Sequence, residues 1–382
     1  MKFPKRGVNE LSILSELRSK YCLDAKHDLG EVLGSMTTKP LDVAIRAFEI
    51  FWRSNLNDPY TFPGSSIIER EVIEALADLY ECNDCSGLIT TGGSESNLTA
   101  LYIIRELGFS TVGVPKSAHF SVFKACKLLK LNIYELDLDK DFRVSIGSVK
   151  EALDKGVRAF IFTAGTTELG LIDPIDKLGR VINEYSGLIH VDAAYAGFVI
   201  PFLKELGLKV PKVSFSNPAV RSLCVDGHKM GLTPIPNSAL ILRPPELIKY
   251  VEFPARYMPL NIQRGLLGTR TAGSAAALYA VIKYLGIEGF TEVVKYVMGL
   301  LKYLIKRLRE EDFSVPVEPD VPIVCIEVKD PDKYLKELAK RRLFVYKCSL
   351  IKGVRVVIMP HLSRYDLDRF IEALKNVRRE VG

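Results

Sequence analysis

Apolar residues along the chain recur at two spacings, and their alternation predicts the fold. Residues 65–81, SSIIEREVIEALADLYE, carry them three and four apart, the period of one buried helix face. After a turn and a glycine pair, residues 94–108 repeat that period. Short β-rich runs and helical runs then take turns: STVGV, SAHFSVFKACKLL, NIYEL, VKEALDKG, VRAFIFTA, DKLGRVINEYS and GLIHVD. Strand–helix units of this length make a parallel sheet with helices on both faces. RSLCVD and SALILR add two strands, and two long helical stretches begin near Thr271. The remainder reads strand, helix, strand, helix. The expected class is therefore α/β. A helical segment spans 1–60, a large domain with a mostly parallel sheet spans 61–285, and a small C-terminal α+β domain spans 286–382. Ligands of such sheets lie beyond the carboxyl ends of the strands, where the polar clusters of this chain also fall.

Composition narrows the function classes. A net charge of +6 spread over 382 residues forms no basic stripe, so no nucleic-acid partner is expected. No apolar stretch has bilayer length, and the opening MKFPKRGVNE lacks the apolar segment of a secretion signal, so the expectation is a cytoplasmic protein with no membrane partner. Seven scattered cysteines suggest no disulfide framework. Cys82 and Cys85 have C-x-x-C spacing without a second pair, and read as two small residues at a helix end. A single glutamine, Gln263, hints at a heat-adapted source.

Three segments carry candidate chemistry. TTGGSESN, residues 90–97, opens a helix behind two glycines, so unpaired N–H groups and the positive dipole end can receive an anion. It fits neither the dinucleotide nor the P-loop pattern, and Gly-Gly-Ser also makes ordinary turns. HVDAAYAG, residues 190–197, ends an apolar strand in Asp192. That carboxylate either caps a turn or meets a cation such as a protonated pyridine nitrogen, and Ala193 and Ala194 leave room for a flat ring. VDGHKMG, residues 225–231, places Lys229 beyond another strand. Desolvation would lower the pKa of its amine and fit it for Schiff-base chemistry.

Taken together, the segments resemble one family. LGSM (33–36), NLNDP (55–59), TGGSESN (91–97), PKSAHFS (115–121), AGTTELGLIDPI (164–175), HVDAAYAGFVIPF (190–202), DGHKMG (226–231), LGTR (267–270) and VRVVIMPH (354–361) are similar to the group II pyridoxal-phosphate decarboxylases, above all their archaeal L-tyrosine/L-aspartate branch. The likeness runs over nearly the whole chain. It implies fold type I of the pyridoxal-phosphate enzymes, pyridoxal 5′-phosphate as cofactor, and a homodimer with the site between subunits. Gly92, Gly93 and Ser94 would hold the phosphate, with His228 and Asp226. His119 would stack on one face of the ring and Ala194 on the other, while Asp192 would pair with the ring nitrogen. Thr167 would lie near the phenolic oxygen, and Lys229 would be the Schiff-base lysine.

Tyr257, in FPARYMPLN, is a candidate proton donor to Cα, or an aromatic that pins its loop. Arg355 or its rival Arg270 would meet the substrate α-carboxylate, with Ser35 on the same side. DGHK in place of D-P-H-K, Asn237 and Ser238 in place of small glycine-rich residues, and Tyr60 in place of glycine bear on substrate identity. The expected reaction is loss of CO2 from an L-amino acid, aspartate or tyrosine first, in a cycle that needs no metal. A glutamate decarboxylase, a carbon–carbon lyase of the sphingosine-phosphate-lyase type, an aminotransferase and a catalytically quiet cofactor binder are the competing readings.

Overall fold

The computed structural model describes residues 2–381. Its N-terminal arm carries α1 (Glu10–Tyr21) and α2 (Asp42–Phe51). The chain then runs α3 (Pro63–Leu79), β1 (Ser86–Thr90), α4 (Gly93–Glu106), β2 (Thr111–Pro115), α5 (Phe120–Leu129), β3 (Asn132–Leu136), α6 (Ile146–Asp154), β4 (Ala159–Thr163), α7 (Ile175–Glu184), β5 (Leu188–Asp192), α8 (Ile200–Glu205), β6 (Val220–Val225) and β7 (Ser238–Leu242). The seven strands lie in the order β1-β7-β6-β5-β4-β2-β3. Every residue of β4 and β5 is buried, as expected of continuous apolar strands covered on both faces.

Two features of this sheet differ from the periodicity reading. SGLIT was read as part of a turn, yet it forms β1 by pairing antiparallel with β7 from Ser86↔Leu242 to Thr90↔Ser238. The partner, not the local sequence, makes the strand. A Cβ on Gly87 would lie 2.3 Å from the Leu240 carbonyl oxygen, so a bare backbone is needed there. β7 also runs against its other neighbour, β6, whereas β6, β5, β4, β2 and β3 are parallel. With β7 reversed on both sides, β1 regains the common direction, and its carboxyl end joins those of β2, β4, β5 and β6 along one sheet edge.

Beyond the sheet, β8 (Glu252–Pro254) and β9 (Ile262–Arg264) form a short hairpin. α9 (Ala272–Glu310) follows, interrupted at Gly286, where φ is 56° and ψ −167°. Only glycine takes that conformation without strain, and it divides the two helical stretches read from sequence. β10 (Ile323–Glu327), α10 (Pro331–Lys340), β11 (Tyr346–Cys348), β12 (Gly353–Val357) and α11 (Arg364–Val381) complete the chain, with the strands in an antiparallel sheet ordered β10-β12-β11. The brief strand β11 breaks the expected strand–helix alternation. Among the described residues no helix is long and apolar enough to cross a membrane.

Cys82 and Cys85 require a correction. They are joined in a disulfide, with their Cα atoms 6.0 Å apart. α3 ends at Leu79, and Glu81, at φ 57°, turns the chain left-handed, which folds the two cysteines toward each other.

Candidate active site

A cavity of about 400 Å³ opens at the shared carboxyl edge of the large sheet. β1 and the start of α4 supply Gly92, Gly93 and Ser94, the turn after β2 supplies His119, and that after β4 supplies Thr167. Asp192 ends β5, Ala194 follows it, and Asp226, His228 and Lys229 follow β6; all of them line this cavity. Ten positions from distant parts of the sequence thus share one wall.

The glycine pair is shaped for close approach. A Cβ on Gly93 would fall 2.9 Å from the Ala194 Cβ, and one on Gly92 would fall 3.3 Å from His228 Cε1. Intrahelical bonding begins with the N–H groups of Glu95 and Ser96 donating to the Gly92 carbonyl at 2.9 and 3.1 Å, so the amides of Gly93 and Ser94 precede the ladder at the positive end of α4. Glu95 closes the loop from beneath by accepting both the N–H and the hydroxyl of Thr91 at 2.7 Å.

Charge in the cavity is concentrated on Lys229 and two carboxylates. The ammonium Nζ lies 2.9 Å from Asp226 Oδ2. Burial works against this ammonium, but Asp226 and then Asp192 outweigh it and hold the Lys229 pKa above its ordinary value. This reverses the lowering expected from desolvation alone. Burial pushes the Asp192 carboxyl up, yet the Lys229 charge and the Asn97 hydrogen bond hold it below the usual carboxylate range. Asp192 Oδ2 accepts from Asn97 Nδ2 at 2.8 Å, and its Oδ1 accepts from the Ala194 N–H at 3.1 Å. Burial also lowers the pKa of His119 and of His228, so both imidazoles are neutral near pH 7.

The residues expected on the substrate side separate. Arg355 is buried on β12, donating to the Thr167 carbonyl at 2.9 Å and the Gly34 carbonyl at 2.6 Å. Its Nε has no partner. It thus stands directly behind Thr167, a cavity residue. Arg270 does not reach the cavity. Its guanidinium is held by Glu69, by Asn57 Oδ1 at 2.8 Å and by the Ile89 carbonyl at 2.7 Å. Ser35 bonds Thr37 at 2.8 Å, and it is its neighbour Met36 that enters the wall. Tyr257 lies between β8 and β9, 89 % exposed and outside its own chain's cavity.

Several contributors were not singled out in the sequence. Met36, Phe120, Tyr195 and Ile235 also line the cavity. Asn97 lines it too, and His190 lies behind, Asn97 Oδ1 meeting His190 Nε2 at 2.9 Å. One signal was available, because a histidine in the apolar run LIHVD must find buried partners.

The residues present fit a pyridoxal phosphate. Asp226 Oδ1 and Thr163 Oγ1 are buried in this wall without a partner, and the glycine cradle, the lysine and an ionised carboxylate share one slot. The comparisons agree. Residues 110–329 match the pyridoxal-dependent decarboxylase conserved domain. A probable L-tyrosine/L-aspartate decarboxylase of Methanothrix thermoacetophila is 37 % identical, covering 98 % of this chain and 97 % of its own length. The L-tyrosine/L-aspartate decarboxylase of Methanocaldococcus jannaschii is 36 % identical, covering 98 % and 99 %. Among solved structures, sphingosine-1-phosphate lyase of Burkholderia pseudomallei superposes with a TM-score of 0.89 at 22 % identity, covering 99 % of this chain and 92 % of that one. The last likeness is one of fold. The family match and the near full-length relatives place the chain in the pyridoxal-dependent decarboxylase family, as a pyridoxal-phosphate-dependent amino acid decarboxylase.

Proposed function

We propose that the chain decarboxylates L-aspartate, L-tyrosine or both, giving β-alanine or tyramine, with Lys229, Asp192 and the Gly92–Ser94 loop as its cofactor anchors. The observation that carries this reading is the convergence of these three segments on one cavity of about 400 Å³, a size suited to a cofactor with a small substrate. The bound cofactor supplies an electron sink for the pair left on Cα when CO2 departs.

The chain's own groups have separable tasks. Gly93 and Ser94 offer N–H groups to the phosphate, and His228 borders the same loop. Asp192, held ionised in the cavity, would pair with the cofactor's ring nitrogen and stabilise charge drawn into the ring. Lys229, whose ammonium is held 2.9 Å from Asp226, would be the point of covalent attachment for the cofactor. Arg355, held by the carbonyls of Thr167 and Gly34 behind the cavity wall, keeps an unpartnered Nε–H and would meet the substrate carboxylate from the Thr167 side. Met36, Phe120 and Ile235 give the wall its apolar members, of which Phe120 and Ile235 are largely exposed at its mouth.

A homodimer belongs to the same proposal. Tyr257 is 89 % exposed and does not line its own chain's cavity, and a hairpin reaching into a second copy would supply the proton donor there. The names of the relatives favour aspartate and tyrosine over glutamate, and the fold-level likeness to a lyase brings no residue argument for carbon–carbon cleavage. Incubating the purified protein and pyridoxal phosphate with each of the twenty amino acids, while measuring CO2 and amine, tests the reading. β-Alanine or tyramine is expected; absence of CO2 from every amino acid would overturn it.

A further inference from the structure

Behind the cavity lies a buried set of polar groups whose hydrogen bonds can run in only one direction. Asp192 Oδ2, on an ionised carboxylate, can only accept, so the atom of Asn97 that meets it at 2.8 Å must be the amide nitrogen. The same nitrogen donates to Ser121 Oγ at 3.0 Å. Asn97 Oδ1 is then turned to His190 Nε2 at 2.9 Å and must receive a proton from it. His190 is fully buried and burial pushes its pKa down to about 4, so a single ring proton remains and sits on Nε2. Its Nδ1 accepts the hydroxyl of Ser222 at 2.7 Å.

The other branch ends at His119. The backbone N–H of Ser121, a donor only, points at His119 Nδ1 from 3.3 Å, and the Ser121 hydroxyl lies 2.8 Å from the same atom. Nδ1 must accept, which places the ring proton on Nε2, an atom that no described residue bonds. His119 is thereby both the N-cap of α5 and a donor with a fixed tautomer at the cavity wall. One asparagine sets both outcomes, the accepting geometry of Asp192 and the donor held out by His119.

We infer that Asn97 and His190 are positioning residues, which, with Ser222 and Ser121, form a one-directional hydrogen-bond chain that orients the Asp192 carboxylate and fixes His119 as its Nε2–H tautomer. The importance of this chain for turnover rests on the reading that Asp192 and His119 face the cofactor ring; the tautomers themselves do not. His190 does not line the cavity, and Asn97 reaches it beside Asp192; both act here through the neighbours that they orient.

The five histidines of the chain make the test practicable. Long-range 1H–15N spectra of the full-length, cofactor-loaded protein with labelled histidine should show His190 and His119 as neutral Nε2–H imidazoles. Either ring appearing as Nδ1–H, or doubly protonated near neutral pH, overturns the inference. Two variants probe its consequence. His190→Phe fills the space without bonding, whereas His190→Gln can both accept from Ser222 and donate to Asn97. His190→Phe should lower kcat about ten-fold and move the absorption maximum of the bound cofactor, with KM altered less than about two-fold. His190→Gln should restore most of the rate and the original maximum. Equal behaviour of the two variants in rate and spectrum would sink the proposal. If neither accumulates as folded protein, the tautomers of the unaltered chain still decide it. Full turnover by Lys229→Ala would refute the wider functional reading while leaving the tautomer assignment intact.

Discussion

The cavity wall and the hairpin that carries Tyr257 are built on opposite terms. In the wall, polar groups stand at strand ends and several are fixed by close partners, as with Asp192 between Asn97 and the Ala194 amide. In the hairpin, three-residue strands hold a loop whose tyrosine is 89 % exposed. The same contrast recurs between α2, which packs on the core through Phe48 and Phe51, and α1, which buries no residue. Within one copy of the chain the cavity wall is fixed by packing, whereas the tip of the hairpin and α1 lie on the outside. Preorganised polar groups stand where packing fixes them, and the proposed second-copy contacts fall to elements left on the outside.

Breaking the inner half should have the largest effect. Lys229→Ala is expected to lower CO2 release by at least about four orders of magnitude and to remove the visible band of the lysine-bound cofactor, read by turnover assay and absorption spectrum. Next comes the distinction between two buried arginines. Arg270→Met strands Glu69 without its partner and should cost about 3–5 kcal/mol of stability in denaturant titration, with KM nearly unchanged. Arg355→Met should instead raise KM as its main kinetic effect.

Acid should loosen the interior before it affects the hairpin. Burial holds His190 and His361 at about 4, below the 6.5 of an exposed imidazole, so the unfolded chain takes up protons first as pH falls. Stability from each is complete above about pH 6.5 and is lost toward pH 4, on the order of 3 kcal/mol apiece. Asp173, pushed up to about 6 by burial, acts in reverse between about 6 and 3.8 and offsets part of the loss. Urea midpoints measured from pH 7 to pH 4 should fall, and less steeply in His361→Gln.

The smallest expected effect sharpens the comparison most. Tyr257→Phe should lower kcat about a hundredfold while leaving cofactor affinity unchanged, as for a lost proton donor. Mixing Tyr257→Phe with Lys229→Ala, refolded together, should restore part of the activity, since a hybrid dimer contains one site with both residues intact. No recovery on mixing would place the tyrosine's partner site in its own chain.

Much of the wall was legible in the sequence because each residue stands next to a pattern that fixes its position. Asp192 ends an apolar strand, Lys229 follows another, and Gly92 and Gly93 stand at a helix start. The direction of β7 was not legible, because SALIL is equally apolar either way and only its ladders with β1 and β6 orient it. β1 was missed for a related reason, since five residues containing a glycine resemble a turn until a partner supplies the bonds. Arg270 and Arg355 looked alike from sequence, and what separates them is the long-range company of Glu69 for one and Thr167 for the other. The disulfide likewise needed the left-handed turn at Glu81.

The placement of Arg355 restricts how this enzyme can change its diet. Its guanidinium ties three stretches of chain together, since it sits on β12 while gripping the carbonyls at positions 34 and 167. Replacing it would unfasten β12 from the chain at Gly34 and from the turn after β4. New specificity is therefore more readily gained at Met36, Phe120 or Ile235, which touch the cavity without serving as fasteners.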